Sequence, residues 1–332
     1  MPQLRKDPVT SRWIIVNVEK PLAKELVKLR PHEKSSKTCP FCPGNELMTP
    51  PEIAVYPKKG AAKGQSGWQV RVIPNKFPAL QIEESTEKAA VGIYEKVGGF
   101  GAHEVIIENP DHAREIADAP AEEVELVLRA YRDRCLDLQK DARFRYILIF
   151  KNYGADAGAS LEHPHSQLIA LPVVPSRVQG EVKGASRHFE YTERCIFCDI
   201  LKQESTSKKL TVFDGEDWVA MAPFASRLPF ETWILSKSHQ SSYSLVSDDQ
   251  LKSLALTVKT TLLKMKKALK DPPFNFMIHT LPLQAKEGNS FHWHLEIIPH
   301  LTEVSGFELG TGFYLNATPP EFAAEVLRNE PV

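Results

Sequence analysis

A chain of 332 residues is long enough to bury a large core and is sized for two domains or one duplicated unit. A quarter of it is charged, with 41 Lys plus Arg against 42 Asp plus Glu and a formal net charge of −1; the absence of any basic block argues against a nucleic-acid binder. No stretch reaches the length of a membrane span, and the first twenty residues lack the apolar run of a signal peptide, so a cytoplasmic protein without membrane contact is expected.

In chain order, the first chemical feature is the C-x-x-C pair Cys39/Cys42, in the sequence CPFC. A Gly-, Lys- and Ala-rich stretch at 58–67 reads as a loop. Strands are expected at 68–73 and 103–108, then a helix at 121–141 opened by Pro120, with apolar residues at three- and four-residue spacing. Cys135 within it reads as buried packing. A strand at 146–150 leads into Lys151–Ser160, whose small residues suit either a phosphate-binding loop or a plain turn. The run EHPHSQLI at 162–169 follows. Residues 174–193, with Pro, Gly and charge but no periodicity, read as a linker. Beyond it come a second C-x-x-C, Cys195/Cys198, and a strand at 232–235. A helix at 248–269 with Ser247 placed to cap it, a strand at 292–298 and a helix at 320–328 complete the chain.

The two halves repeat one another in order. Each supplies C-x-F-C, a strand closing on a histidine, a long helix, a strand and H-x-H. His112 and His163 lie 51 positions apart in the first half, and His239 and His292 lie 53 apart in the second. The expected fold is therefore α+β, with two repeats, each an antiparallel sheet with flanking helices. They would span 1–173 and 194–332, joined by the linker 174–193.

Two cysteines and two histidines per half satisfy tetrahedral zinc with no position left open. The sets are Cys39, Cys42, His112 and His163, and Cys195, Cys198, His239 and His292; closed sites of this kind are structural, and two zinc ions per chain are expected. If 162–169 is extended, alternation puts His163, His165 and Gln167 on one face. With His163 held by metal, His165 stands on a rigid strand as a nucleophile for phosphorus, and a neutral imidazole attacks without a separate base. In the second H-x-H the glutamine is replaced by Glu296, so that half reads as a decayed copy. His279 and His294 are then either core groups or residues facing the active site.

Several blocks resemble one family: KDPVTSRWII near the start, CPFCPGNE, VRVIPNKFPAL, NPDH at 109–112, the loop with HPHSQ, and GFELGTGFYLN at 306–316. Across nearly the whole chain they are similar to the galactose-1-phosphate uridylyltransferase family of the histidine-triad superfamily. The likeness is greatest to the subgroup with a second C-x-x-C, which includes ADP-glucose phosphorylase-like adenylyltransferases. The resemblance implies histidine-triad-like repeats and ping-pong transfer of a nucleotidyl group from a nucleotide sugar through His165, with Gln167 on the transferred phosphoryl group. It implies a nucleoside segment at Asn75 and Phe77, a phosphate loop at Asn152, Gly158 and Ser160, and a homodimer. A sugar-phosphate loop at 305–316, containing Gly306, Gly310, Thr311 and Gly312, would reach into the partner subunit. The acceptor is a hexose 1-phosphate or inorganic phosphate.

Two departures bear on substrate: Asn75-Lys76-Phe77 stands where classical members have Asn-Asp-Phe, and residues 19–24 replace an Arg-rich stretch. Uridylyl transfer between UDP-glucose and galactose 1-phosphate leads. ADP-glucose phosphorolysis and dinucleoside tetraphosphate phosphorolysis are alternatives. A zinc-organised adaptor and a nucleotide hydrolase are the competing readings from other classes.

Overall fold

The computed structural model describes residues 2–18, 39–58 and 67–332. The stretch 19–24 and nearly all of the loop 58–67 lie outside the described residues. The first half comprises β1 (Gln3–Lys6), β2 (Trp13–Val16), β3 (Ala54–Pro57), β4 (Trp68–Pro74), the exposed hairpin β5 (Lys88–Val91) and β6 (Tyr94–Val97), then β7 (Ala102–Ile107), α1 (Ala121–Leu138), β8 (Tyr146–Tyr153) and β9 (His165–Leu171). Helices α2 (Ser176–Thr192) and α3 (Ile196–Ser207) follow. The second half is β10 (Thr211–Asp214), β11 (Trp218–Met221), β12 (Thr232–Ser236), α4 (Asp248–Leu269), β13 (Phe274–His279), β14 (His294–Pro299), α5 (Gly306–Thr311), β15 (Tyr314–Asn316) and α6 (Pro320–Asn329).

The repeat is visible in the sheet. Ten strands pair in the order β10-β11-β12-β14-β13-β8-β9-β7-β4-β3, five from each half, mirrored about the β13–β8 pair. All of these pairings are antiparallel, so the α+β class holds, and the two expected sheets are fused into one. The fusion satisfies backbone groups that would otherwise be two open edges. A second, three-stranded sheet pairs β15 parallel to β2, tying the end of the chain to its start.

Alternation along each strand divides the residues between two faces. On one face Ile147, Ile149, Leu168 and Ala170 pack with Val127, Leu128 and Tyr131 of α1 and Leu254, Val258 and Leu262 of α4. Each such burial contributes about 1.5–3 kcal/mol. Helix α4 opens with a capping box, in which Ser247 accepts from the Gln250 backbone and the Gln250 side chain accepts in return. The opposite face carries two smaller clusters, one around Cys39, Phe41, Ile73, Val105 and Ile107 and one around Phe197, Trp233, Leu235 and Phe291. Both cysteine pairs lie on this face.

Three expectations are corrected. Residues 174–193 are largely the helix α2, whose Val178, Val182 and Ala185 recur at helical spacing on one side but are interrupted in sequence by Gly180, Gly184 and the charged Glu181; among its residues Val178, Glu181 and Ala185 are buried. Gly184 sits so close to the Val9 carbonyl that a Cβ would lie 1.8 Å from its oxygen. Helix α3, beginning directly after Cys195, was not anticipated. The 305–316 segment is not a loop throughout but the capped turn α5, ended by Gly312 at φ +70°, followed by β15. No helix among the described residues is long and apolar enough to cross a membrane.

Candidate active site

His165 is the first residue of β9 and only 6% exposed. Its Nδ1 lies 2.8 Å from the carbonyl oxygen of His163. A carbonyl only accepts, so Nδ1 carries the hydrogen and Nε2 keeps its lone pair. Burial lowers the pKa of the ring, opposed by the His163 carbonyl and assisted by the Lys151 ammonium, so the neutral form is favoured. The edge of Phe41 packs on the ring, with centroids 5.4 Å apart.

Two cavities meet at this imidazole. The larger, of about 460 Å³, is walled by Phe41, Met48, Ile73, Val105, Asn75 and Phe77, with Gln167 on its floor. The smaller, of about 300 Å³, is bounded by Lys151, Asn152, Gly154, Glu115, Lys266 and Asp271. Only Ser160, Leu161 and His165 line both. The expected nucleoside residues thus do come together with His165 and Gln167. Asn75 is held by the Phe77 N–H, which donates to its Oδ1 at 2.9 Å. Between β8 and β9, Gly154 and Gly158 adopt φ +82° and +84°, which lets the 152–160 segment fold back over the strand end.

On the helix side of β9 lies a buried network that no spacing or motif in the chain reveals. Lys151 Nζ is 2.7 Å from Glu108 Oε2 and 3.0 Å from Glu115 Oε2. Tyr131 and Ser166 both donate to Glu108 Oε1. Polar groups this deep must be paired, and here the pairing locks β7, β8, β9 and α1 together beneath the strand that bears His165.

The eight predicted ligands form two tight sets. In each, one Sγ or imidazole nitrogen per residue lies within 4.8 Å of the others, and each group could bind a metal ion. All four histidines turn Nδ1 toward sulfur: His112 and His163 at 3.3 and 3.6 Å from Cys42, His239 and His292 at 3.5 and 3.6 Å from Cys198. Three donate from Nε2 to outer partners, His163 to the Asn109 carbonyl at 2.7 Å, His239 to the Gly288 carbonyl at 2.8 Å and His292 to Ser236 Oγ at 2.8 Å. Such partners fix the tautomer a metal needs.

Among the described residues of the second half, the counterpart of His165 is placed differently. His294 repeats the geometry of His165, with Nδ1 3.2 Å from the His292 carbonyl, but it is shut among the rings of Phe197, Trp233 and His279. Its Nε2 faces Glu296 Oε1 at 3.7 Å. Burial opposes its charge, yet Glu296 and Glu181 prevail and raise its pKa, whereas that of His165 is lowered. Glu296 is gripped by Arg177 at 2.6 Å and Arg227 at 2.7 Å, and His279 Nδ1 lies 2.8 Å from Glu181 of α2. Of the two readings for His279 and His294, the core one fits. Gly306, Gly310, Thr311 and Gly312 are exposed on α5 and its cap and line neither cavity at His165.

The chain is similar to known proteins over nearly its whole length. Residues 2–175 match the N-terminal domain of galactose-1-phosphate uridyl transferase and residues 148–329 match its C-terminal domain. The chain is 39% identical over 335 residues to an ADP-glucose phosphorylase of Arabidopsis thaliana, covering 98% of this chain and 92% of the relative. It is 28% identical over 341 residues to the galactose-1-phosphate uridylyltransferase of Thermotoga maritima, covering 100% and 99%. A crystal structure of an Arabidopsis thaliana ADP-glucose phosphorylase with bound ADP-glucose matches with a TM-score of 0.86 at 37% identity, covering 100% of this chain and 99% of that one. The chain therefore belongs to the galactose-1-phosphate uridyl transferase family of nucleotidyltransferases.

Proposed function

We propose that the protein moves a nucleotidyl group from a nucleoside diphosphate hexose to a second phosphate through a covalent intermediate on His165. The observation that carries this is the placement of His165, whose Nε2 is left unprotonated by the Nδ1 contact, on the wall shared by two cavities. In the first half-reaction Nε2 attacks the α-phosphorus and the bond to the bridging oxygen breaks. Hexose 1-phosphate leaves with that oxygen and its electron pair. In the second, an acceptor phosphate oxygen attacks the same phosphorus and the N–P bond returns its electrons to the ring. Holding the imidazole in line converts a bimolecular step into a local one, worth up to about 7–11 kcal/mol of barrier. Gln167, which cannot act as acid or base, donates to the phosphoryl oxygens and favours transfer over hydrolysis. Asn75 and Phe77 hold the nucleoside, and Asn152, Gly158 and Ser160 hold phosphate oxygens.

Two donors are put forward. Uridylyl transfer between UDP-glucose and galactose 1-phosphate is supported by the family and the Thermotoga maritima relative. Adenylyl transfer from ADP-glucose to inorganic phosphate is supported by the higher identity to the Arabidopsis thaliana enzyme. Zinc is the metal proposed for both Cys2His2 sets, given sulfur and imidazole donors in closed groups of four. We further propose halves at 1–173 and 194–332 joined by 174–193, a cytoplasmic homodimer, and residues 306–312 meeting the sugar phosphate in the partner subunit. Incubation with UDP-glucose and, separately, ADP-glucose followed by intact mass measurement tests the core of this. A uridylyl or adenylyl adduct is expected under conditions that preserve a phosphoramidate; no added mass with either donor sinks the covalent reading.

A further inference from the structure

His103 begins the site face of β7, one strand over from Gln167. The β7–β9 register pairs Val105 with Gln167, so His103 and Gln167 are diagonal neighbours on one face. His103 Nε2 lies 2.8 Å from Gln167 Oε1. The direction of that bond follows from the other side of the ring, where the Ala79 backbone N–H donates to His103 Nδ1 at 3.1 Å. A peptide N–H only donates, so Nδ1 must be the unprotonated nitrogen. The hydrogen of the neutral ring is then on Nε2, and it is donated to Gln167 Oε1.

This settles an ambiguity that Gln167 cannot resolve alone. A carboxamide has one accepting end and one donating end, and the torsion that exchanges them is broad and nearly two-fold. An anionic phosphoryl oxygen only accepts. If Gln167 turned its own oxygen to the substrate, attraction would become repulsion in the same cavity. With Oε1 taken by His103, the Nε2 hydrogens of Gln167 are left for the side where His165 stands. Asn75 is oriented by the same logic: Phe77 N–H holds its Oδ1, and its Nδ2, 3.1 Å from the protonated His103 Nε2, cannot bond to it and is left to donate elsewhere.

We infer that His103 is a positioning residue for nucleotidyl transfer: locked as its Nε2–H tautomer by Ala79, it holds the Gln167 carboxamide with its N–H groups toward the phosphoryl group transferred to His165. The inference rests on the reading that His165 is nucleotidylated and Gln167 contacts that group.

The test is the single-turnover rate of adduct formation, read by intact mass with UDP-glucose and ADP-glucose. His103→Leu is expected to slow labelling about 10- to 100-fold, the loss of one hydrogen bond to a charged group. His103→Gln, whose amide nitrogen reaches the place of the ring Nε2, is expected to recover most of the rate. In a Gln167→Leu background His103→Leu is expected to add nothing further, because the group it orients is gone. Full additivity in that background, or a wild-type rate in His103→Leu, overturns the inference. Failure of the unaltered protein to label at all instead removes the reading beneath it. Should His103→Leu not fold, the 15N shifts of His103 in the unaltered protein report its tautomer. Protonated Nε2 is expected, and protonated Nδ1 overturns the proposal.

Discussion

Asn275 of β13 donates from Nδ2 to Oδ1 of Asn152 at 2.8 Å, directly across the strand pair that joins the two halves. The same nitrogen reaches the Ala157 carbonyl at 2.9 Å, and His300 lies 2.5 Å from Asn275 Oδ1. The second half therefore holds in place the 152–160 segment that lies beside His165 of the first. Asn275→Ala removes both bonds to that segment. It is expected to raise KM for the nucleotide sugar about tenfold, in line with roughly 1–2 kcal/mol of lost hydrogen bonding, with little change in Tm. Steady-state kinetics beside a thermal melt check it, and an unchanged KM would count against a phosphate-loop role.

His165→Asn is expected to abolish covalent labelling while the fold survives, since the ring borders open cavities. His294→Asn should do the reverse. Labelling persists, but Tm falls by roughly 6–10 °C because Glu296 and Glu181 lose a buried cationic partner. Mass spectrometry and melting of the two variants side by side decide it; labelling lost in His294→Asn would reassign the second half.

Glu115 shares the Lys151 ammonium with Glu108. Burial raises its pKa to about 7 from 4.5, Lys151 pulling it back and Glu108 pushing it further up. With the folded pKa above the unfolded one, the folded state takes up a proton between those values. Its stabilising contribution is complete below about pH 4.5 and lost as the pH rises through about 7. The parent protein is thus expected to lose Tm between pH 5 and pH 8, and Glu115→Gln to flatten that fall. Parallel Tm profiles would refute this.

Metal analysis of the purified protein is expected to give about two zinc ions per chain, and about one in either Cys42→Ser or Cys198→Ser. Cys42→Ser should also slow labelling of His165, because His163, whose carbonyl holds the nucleophile's ring, sits in that set. Cys198→Ser should leave labelling intact and lower Tm. Equal loss of labelling in both variants would contradict the division of labour between the two sites.

A homodimer with exchanged sugar-phosphate segments predicts complementation. Gly310→Asp adds a carboxylate where a Cβ meets nothing within 4 Å, and is expected to repel the sugar phosphate without disturbing the fold. Mixed and reassembled with His165→Asn subunits, it should regain about a quarter of the parent activity, since half the dimers are mixed and each holds one intact site. No recovery after confirmed mixing would exclude sharing of the site between subunits.

Much of this was legible in one dimension, and the reasons are local. Cysteines three apart, the ordered recurrence of histidines and the alternation of His165 and Gln167 along β9 depend only on strand period and metal chemistry, which a linear sequence records, whereas His163 lies in the bend before that strand. The long helices were readable because α1 and α4 bury regular apolar stripes. Helix α2 was not, since its short stripe of Val178, Val182 and Ala185 is broken up by Gly180, Gly184 and the buried Glu181, residues that read as loop in one dimension.

The sequence by itself determined the repeat, the two Cys2His2 groupings and the spacing of His165 and Gln167 on one strand. Only the tertiary structure decided that β8 pairs with β13, that Asn275 steadies the 152–160 segment, that His103 faces Gln167 across a diagonal, and that His294 is enclosed by rings while His165, though buried, lines two cavities. These are choices of register and partner between segments far apart in the chain. A lone polar residue bears no mark of which distant strand will lie beside it until the sheet has closed.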